Sequence, residues 1–331
     1  MSEKRLFGSL FKRDHIVRYI SFSTIIILVT AFQSMQGNFL GKSNLTNLLR
    51  DTAPLMIMAV GMTSVLILGS IDLSAGAICS IANVVFVKIL NDYAGAPNAG
   101  QMILLAFALA IALGLLAGFL MGIVHVKLKV PSFIASLGFM SVWQSVAYLI
   151  SNRPVSVPKA MWVAVDWFKI SWGVFGLPLI IAAAIAVILY MLQTRMAFGR
   201  ALFAIGGNER AARIAGIGVD RTKILTFTVN GACAALGGLF LAAKARSGSP
   251  TVGADFTVLI VASCALGGTA LSGGKGSTLG TILGVFTVSL IRNGMNFIGV
   301  SAYWQDVVFG LFLLGAIALS VDRSKRGLAV K

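Results

Sequence analysis

Long apolar runs, interrupted by short polar or basic stretches, recur along the whole chain. Residues 19–41 carry no charge, and a first membrane span is expected over roughly 19–36. From 52 to 87 the only charged residue is Asp72. That run is too long for one helix, since about 20 residues cross the hydrocarbon core. It splits most naturally at Gly69-Ser70-Ile71-Asp72-Leu73-Ser74-Ala75-Gly76, which gives spans two and three. Further spans are expected over about 101–122, 131–150 (opened by Pro131), 177–192 and 224–243. From 256 to 291 the only charge is Lys275, and this run breaks at Gly267-Gly268-Thr269-Ala270-Leu271-Ser272-Gly273-Gly274 into spans eight and nine. A tenth covers about 307–321. The two breaks share a pattern at an offset of 198: Leu68-Gly69 with Leu73-Ser74 and Gly76 matches Leu266-Gly267 with Leu271-Ser272 and Gly274. Broken helices in corresponding halves of a chain mark transport sites.

The expected fold is therefore an all-α polytopic membrane protein. It has about ten transmembrane helices with broken or re-entrant segments, in one domain over 1–331. Composition agrees. Charged residues are 11% of the 331 and hydrophobic ones 57%, with a mean hydropathy of +0.90. So few charges cannot solvate the surface of a globule of this size. The balance of 27 Lys and Arg against 11 Asp and Glu suits loops held on the cytoplasmic side better than a nucleic-acid partner. With the N-terminus inside, the inner segments hold five basic residues before the first span, two at Lys127 and Lys129, six from Arg195 to Lys223, Lys275, and four after the last span. Both termini, 1–18 and 322–331, are then cytoplasmic. The basic start without a prompt small-x-small cleavage site reads as a retained first span rather than a signal peptide.

Catalytic chemistry is not visible. His15 and His125 have no carboxylate or cysteine at ligand spacing, so no metal site is expected. Cys79, Cys233 and Cys264 lie in apolar runs and read as small core residues. Gly273-Gly274-Lys275-Gly276-Ser277 lacks the spacing of a phosphate-binding loop, so no cofactor is expected and ATP hydrolysis would belong to another subunit. What remains is a set of pathway or gate candidates. Asp72 is the one acid flanked by spans; it reads either as an intramembrane functional group or, with Ser74, as the cap of the restarting helix. Gly268 marks the second break. Asn83, Gln144, Asn230 and Asn293, with Trp143 beside Gln144, could meet hydroxyls and sugar rings or simply bond between helices.

The basic loop over 194–223 holds one more pattern. Asn208 can cap a short helix with Glu209 in its first turn, and Gly216, nine residues from Gly207, can end it. Ala211, Ala212, Ile214 and Ala215 make a small apolar face. A two-turn helix between spans has nothing of its own to pack on. Its small residues suit docking into a partner better than lying on lipid, where bulky side chains would serve.

Taken together, these motifs resemble the ribose-type membrane permeases of ABC importers. The likeness covers nearly the whole chain. It rests on the Gly69 to Gly76 segment, on Pro131-Ser132-Phe133-Ile134-Ala135-Ser136-Leu137-Gly138, and on Thr194-Arg195 with Phe198-Gly199-Arg200. It continues through Ala204-Ile205-Gly206-Gly207-Asn208 with Ala211-Ala212 and Gly216-Ile217, the Gly267 to Gly274 segment, and Asn293-Gly294. The resemblance implies a multi-pass subunit of the bacterial inner membrane that translocates a sugar or sugar-like solute. Its implied partners are a cytoplasmic ATPase, an extracytoplasmic solute-binding protein and a second permease chain, identical or paralogous, within the lipid bilayer. No nucleic acid is implied. Gly207, Asn208, Glu209, Ala211, Ala212 and Gly216 fall in the loop that such permeases insert into the ATPase, with Arg210 where a Glu often opens the motif. Thr257, Val258 and Leu259 stand where the family usually carries a Glu-Leu-Asp pattern, which leaves the solute open. The alternative reading is an ion-coupled secondary transporter of a small polar solute, for which Asp72 is the only candidate ion site. A membrane-embedded enzyme lacks any catalytic constellation.

Overall fold

The computed structural model describes residues 23–35 and 37–320, so the expected cytoplasmic ends 1–18 and 322–331 lie outside the described residues. The described residues are mostly helical. In order, the helices are α1 (Ser23–Met35), α2 (Lys42–Ile67), α3 (Ala75–Asp92), α4 (Ala99–Lys127), α5 (Ser132–Ile150), α6 (Leu177–Thr194), α7 (Ala197–Gly207), α8 (Glu209–Ile214), α9 (Val219–Ala245), α10 (Phe256–Leu266), α11 (Thr278–Phe297) and α12 (Ala302–Ser320). Two short antiparallel pairs sit among them: β1 (Val155–Ser156) with β4 (Ser247–Gly248), and β2 (Ser171–Trp172) with β3 (Phe175–Gly176).

Among the described residues six helices, α2 to α6 and α9, are long and apolar enough to cross a membrane, where the apolar runs suggested about ten crossings. The clearest shortfall is α10. Its 11 residues reach about 16 Å, roughly half of a 30 Å hydrocarbon core. Both expected breaks are present. Residues 68–74 separate α2 from α3, and 267–277 separate α10 from α11.

The core is built on α2, buried almost without interruption from Thr52 to Ile67, and on α9, which packs against α2, α3 and α4. The α4–α9 contact is set by small residues. A Cβ at Gly118 would lie 2.1 Å from the Phe227 carbonyl oxygen, one at Gly231 2.2 Å from that of Gly114, and one at Gly122 2.8 Å from the Ile224 Cα. Glycines spaced by four on one helix face let the two backbones meet directly, the usual route to tight packing where lipid offers no hydrophobic drive.

Residues 246–255, between α9 and α10, run alongside α3, from Gly248 against Val87 to Gly253 against Gly76, about 16 Å of helix length. Their backbone is held by side chains. Ser249 N donates to Asn83 Oδ1 at 2.8 Å, Gly253 N donates to Ser80 Oγ at 2.9 Å, and Gln144 Nε2 donates to Pro250 O at 2.6 Å. Non-helical backbone beside a membrane helix survives only when protein satisfies it. Above this segment Arg246 stacks 3.8 Å over Trp162 and pairs with Asp166, tying the 151–176 connection to the end of α9.

The glycine contact yields a first expectation. Gly118→Val should force α4 away from α9 and lower the thermal aggregation midpoint of the detergent-solubilised protein, by an overpacking cost of about 1–3 kcal/mol. Gly138→Val on α5, where an added Cβ meets nothing within 4 Å, should leave the midpoint close to wild type.

Candidate functional site

The two breaks end their helices in the same way. After α2, Gly69 N donates to Leu66 O at 2.9 Å and Ser70 N to Val65 O at 3.1 Å; after α10, Gly268 N donates to Ala265 O and Thr269 N to Cys264 O, both at 3.0 Å. Gly69 (φ +80°) and Gly268 (φ +83°) each hold the left-handed position that this termination needs. The equivalent glycines are thus 69 and 268, one residue out of the 198 offset read from the sequence. The first break then spans residues 68–74 and the second 267–277, so the likeness is confined to the helix ends.

These breaks meet. Gly274 N donates to the Ile67 carbonyl at 2.8 Å. A Cβ at Gly273 would lie 2.7 Å from the Gly69 Cα. The end of α7 closes the contact from below: a Cβ at Gly206 would lie 1.9 Å from Ile67 O and 2.6 Å from Gly274 N, and one at Gly274 3.2 Å from the Gly207 Cα. Three stretches of bare backbone, Ile67–Gly69, Gly273–Gly274 and Gly206–Gly207, therefore form one junction with no side chain between them. Buried polar side chains brace it. Gln193 Nε2 on α6 donates to Ser64 Oγ at 2.9 Å, and Thr278 Oγ1 donates to Gln193 Oε1 at 2.5 Å. Gln193 escaped the sequence reading because it ends a span next to the basic loop, where an amide looks solvated.

The helix α8 starts at this junction. Asn208 Oδ1 accepts from Ala211 N at 3.0 Å and caps it, with Glu209 in the first turn. Gly216 (φ +79°) ends it, with Gly216 N donating to Arg213 O and Ile217 N to Ala212 O. Glu209 pairs with Lys223 at 2.8 Å and with Arg213 at 3.5 Å, and Arg213 also reaches Asp220 at 2.9 Å. The Lys223 hydrogen bond, followed by its charge and that of Arg213, holds the Glu209 carboxyl below the usual carboxylate range. The helix does have something of its own to pack on, contrary to the sequence reading. Ala212 is buried with Ile67, Leu68, Leu202, Ile205 and Val219. The free face is Ala211, Ala215 and Ile214, the last 82% exposed.

The remaining candidates fall into separate groups. Asp72, fully buried, accepts from Ser74 N at 2.9 Å and Ser74 Oγ at 2.5 Å through Oδ1, and from Asn230 Nδ2 at 2.9 Å through Oδ2. Ser74 is the N-cap residue of α3, so the carboxylate fixes the restart of α3 and ties it to α9. Asn83 is also fully buried, bonded to Ser249 N and to Gly238 O. Trp143 stacks on Phe139 at 6.0 Å, next to Gln144, which is taken up by Pro250. Asn293 exchanges two amide hydrogen bonds with Asn44 at 3.0 and 3.1 Å, at the opposite end of the bundle from the junction. Of these, only Asp72, Ser74 and Asn230 share one network.

Comparison with known proteins decides the family. Residues 44–317 match the family described as Branched-chain amino acid transport system / permease component. The chain is 31% identical over 338 residues to the ribose import permease protein RbsC of Escherichia coli (strain K12), covering 96% of this chain and 97% of that protein. It is 35% identical over 308 residues to RbsC of Bacillus subtilis (strain 168), covering 92% of each. It is 30% identical over 374 residues to the xylose transport system permease protein XylH of E. coli (strain K12), covering 93% and 92%. No solved structure matches. The chain belongs to the ABC-importer permease family. It is a multi-pass transport component and not an enzyme, and the ion-coupled alternative is set aside. Permeases of this family work with an ATPase and a solute-binding protein.

In this permease the Asp72 network is a structural clamp. Asp72→Ala would strand the Ser74 amide and the Asn230 side chain, each an unsatisfied buried group costing about 1–3 kcal/mol. Its thermal midpoint should fall well below wild type. Asn230→Ala should cost less, because Asp72 keeps both Ser74 bonds. Equal midpoints for Asp72→Ala and wild type would remove the clamp role.

Proposed function

We propose that this permease translocates a sugar or sugar-like solute across the bacterial inner membrane. It acts as one of two permease chains, identical or paralogous, around a shared path. The ribose and xylose relatives support the solute class. In this reading the chain crosses about ten times, with both termini and the glycine junction on the cytoplasmic side. The basic residues near the junction (Lys127, Lys129, Arg195, Arg200, Arg210 and Lys275) suit that side. Asn208 to Gly216 forms the element seated in a groove of the ATPase.

The observation that carries this reading is the seat of α8. Its cap, Asn208, follows directly on Gly206–Gly207, which touch the Ile67 carbonyl and Gly274. Motion of a docked ATPase would pass through α8 to the ends of α2 and α10 and to the start of α11. No flexible linker intervenes to absorb it. The pathway would open and close by shifting these helix ends, with Gly69 and Gly268 as the pivots and alternating access as the outcome. The buried Ala212 anchors α8 to its own chain, which leaves Ala211, Ile214 and Ala215 for the partner.

Two variants separate docking from transmission. Ile214→Glu should lose pull-down of the ATPase while the permease keeps its thermal midpoint, since Ile214 is 82% exposed. Gly206→Val should keep pull-down but uncouple it: ATP hydrolysis by the reconstituted complex continues while solute uptake falls at least tenfold. ATP-driven uptake at wild-type rates in Gly206→Val vesicles would contradict transmission through the junction. Normal ATPase binding by Ile214→Glu would contradict the docking face.

A further inference from the structure

At the end of the bundle opposite the junction lies a cavity of about 390 Å³, between α2, the end of α9, the start of α10 and α11. Leu55, Leu241 and Val288 form apolar walls, and Phe256 presents its ring at one side. The polar lining is unbalanced in charge. Asp51 is the one acid among the lining residues, and it is held by Lys244 at 2.9 Å. Arg292 also faces the cavity, its guanidinium 5.9 Å from the Phe256 ring centre. Among the described residues it has no carboxylate within ion-pair distance. Hydrogen-bonding groups surround it. Ser289 lines the same wall; Asn293 is fixed by its exchange with Asn44; Asn296, whose Oδ1 accepts from Gln305 Nε2 at 2.7 Å, lines it too. A guanidinium left without an acid, in a ligand-sized cavity with apolar walls and several fixed polar groups, is a receptor for a planar anion.

We infer that this cavity is an entry site for a small hydroxylated solute that carries an acidic group, such as a sugar acid. Arg292 takes the carboxylate, Ser289 and Asn296 meet hydroxyls, and Phe256 covers the C–H edge of the solute's carbon chain. The inference rests on the sugar-transport reading above and narrows its solute class. Arg292 is the selective element, because Lys244 is already committed to Asp51.

The test uses the permease–ATPase complex in phosphatidylcholine nanodiscs, with D-ribonate and D-ribose as probes and the thermal midpoint as readout. Ribonate should raise the midpoint with concentration, as a ligand of the native state must, and ribose should not at the same concentrations. Arg292→Gln should abolish the ribonate shift while keeping the unliganded midpoint, since no ion pair is lost. Arg292→Lys should retain part of it. Equal shifts by ribose and ribonate, a ribonate shift that survives in Arg292→Gln, or stabilisation by phosphatidylglycerol discs but not by ribonate would each overturn the inference. ATP-driven uptake of radiolabelled ribose and ribonate is measured in parallel. Sugar uptake with no ribonate shift removes only this site, whereas absence of any sugar uptake by an ATPase-bound complex counts against the transport reading itself.

Discussion

The hydrogen bond from Gly274 N to the Ile67 carbonyl, 2.8 Å long, joins the two helix breaks. A helix that ends inside a membrane protein leaves carbonyls and amides without intrahelical partners, and hydrocarbon offers none. Here each broken end supplies what the other lacks. The pairing demands that two backbones touch, so the residues at the contact are Gly69, Gly273 and Gly274, and the third backbone at the contact ends in Gly206–Gly207. The loop helices α7 and α8 take their position from this contact.

The same constraint explains several of the polar side chains within the bundle. Asn83, Ser80 and Gln144 serve the backbone of the extended 246–255 segment, and Asp72 serves the restart of α3. Such groups look like a solute pathway when seen one at a time in an apolar run. Placed in space, Asp72, Gln144 and Asn83 each bond backbone outside the helices. The polar groups that face open volume are elsewhere, at the far end of α11 around Arg292 and Asn296.

Features governed by local chemistry were legible in the sequence. Asn208 as a cap, Gly216 as a terminator and the two glycine breaks all depend on residues within one or two turns, and all are present in the structure. Features governed by long-range contacts were not. Ala212 looked like part of a docking face, but the ends of α2 and α7 cover it, and nothing within the loop announces that. The 246–255 segment, rich in Gly, Ser, Pro and Thr, has the composition of an exposed loop; its place beside α3 is set by Asn83 and Ser80, far away in sequence. The eighth span is a half-helix because the glycine break marked at Gly267 comes 11 residues after it starts; the close approach of Gly267 to Gly280 is what hydropathy does not record. The offset between the breaks was misjudged by one residue because Gly267 and Gly268 are adjacent and only the second is left-handed.

The central claim is that α8 and both helix breaks form one mechanical unit. Hydrogen exchange, read by mass spectrometry on the permease–ATPase complex, tests it most directly by comparing the nucleotide-free state with an ATP-trapped state. The account predicts that segments 64–75 and 265–278 change protection together with 197–218, because the Gly274–Ile67 bond and the Gly206 contact must shift with α8. A change confined to 197–218, with both breaks unaltered, would contradict it.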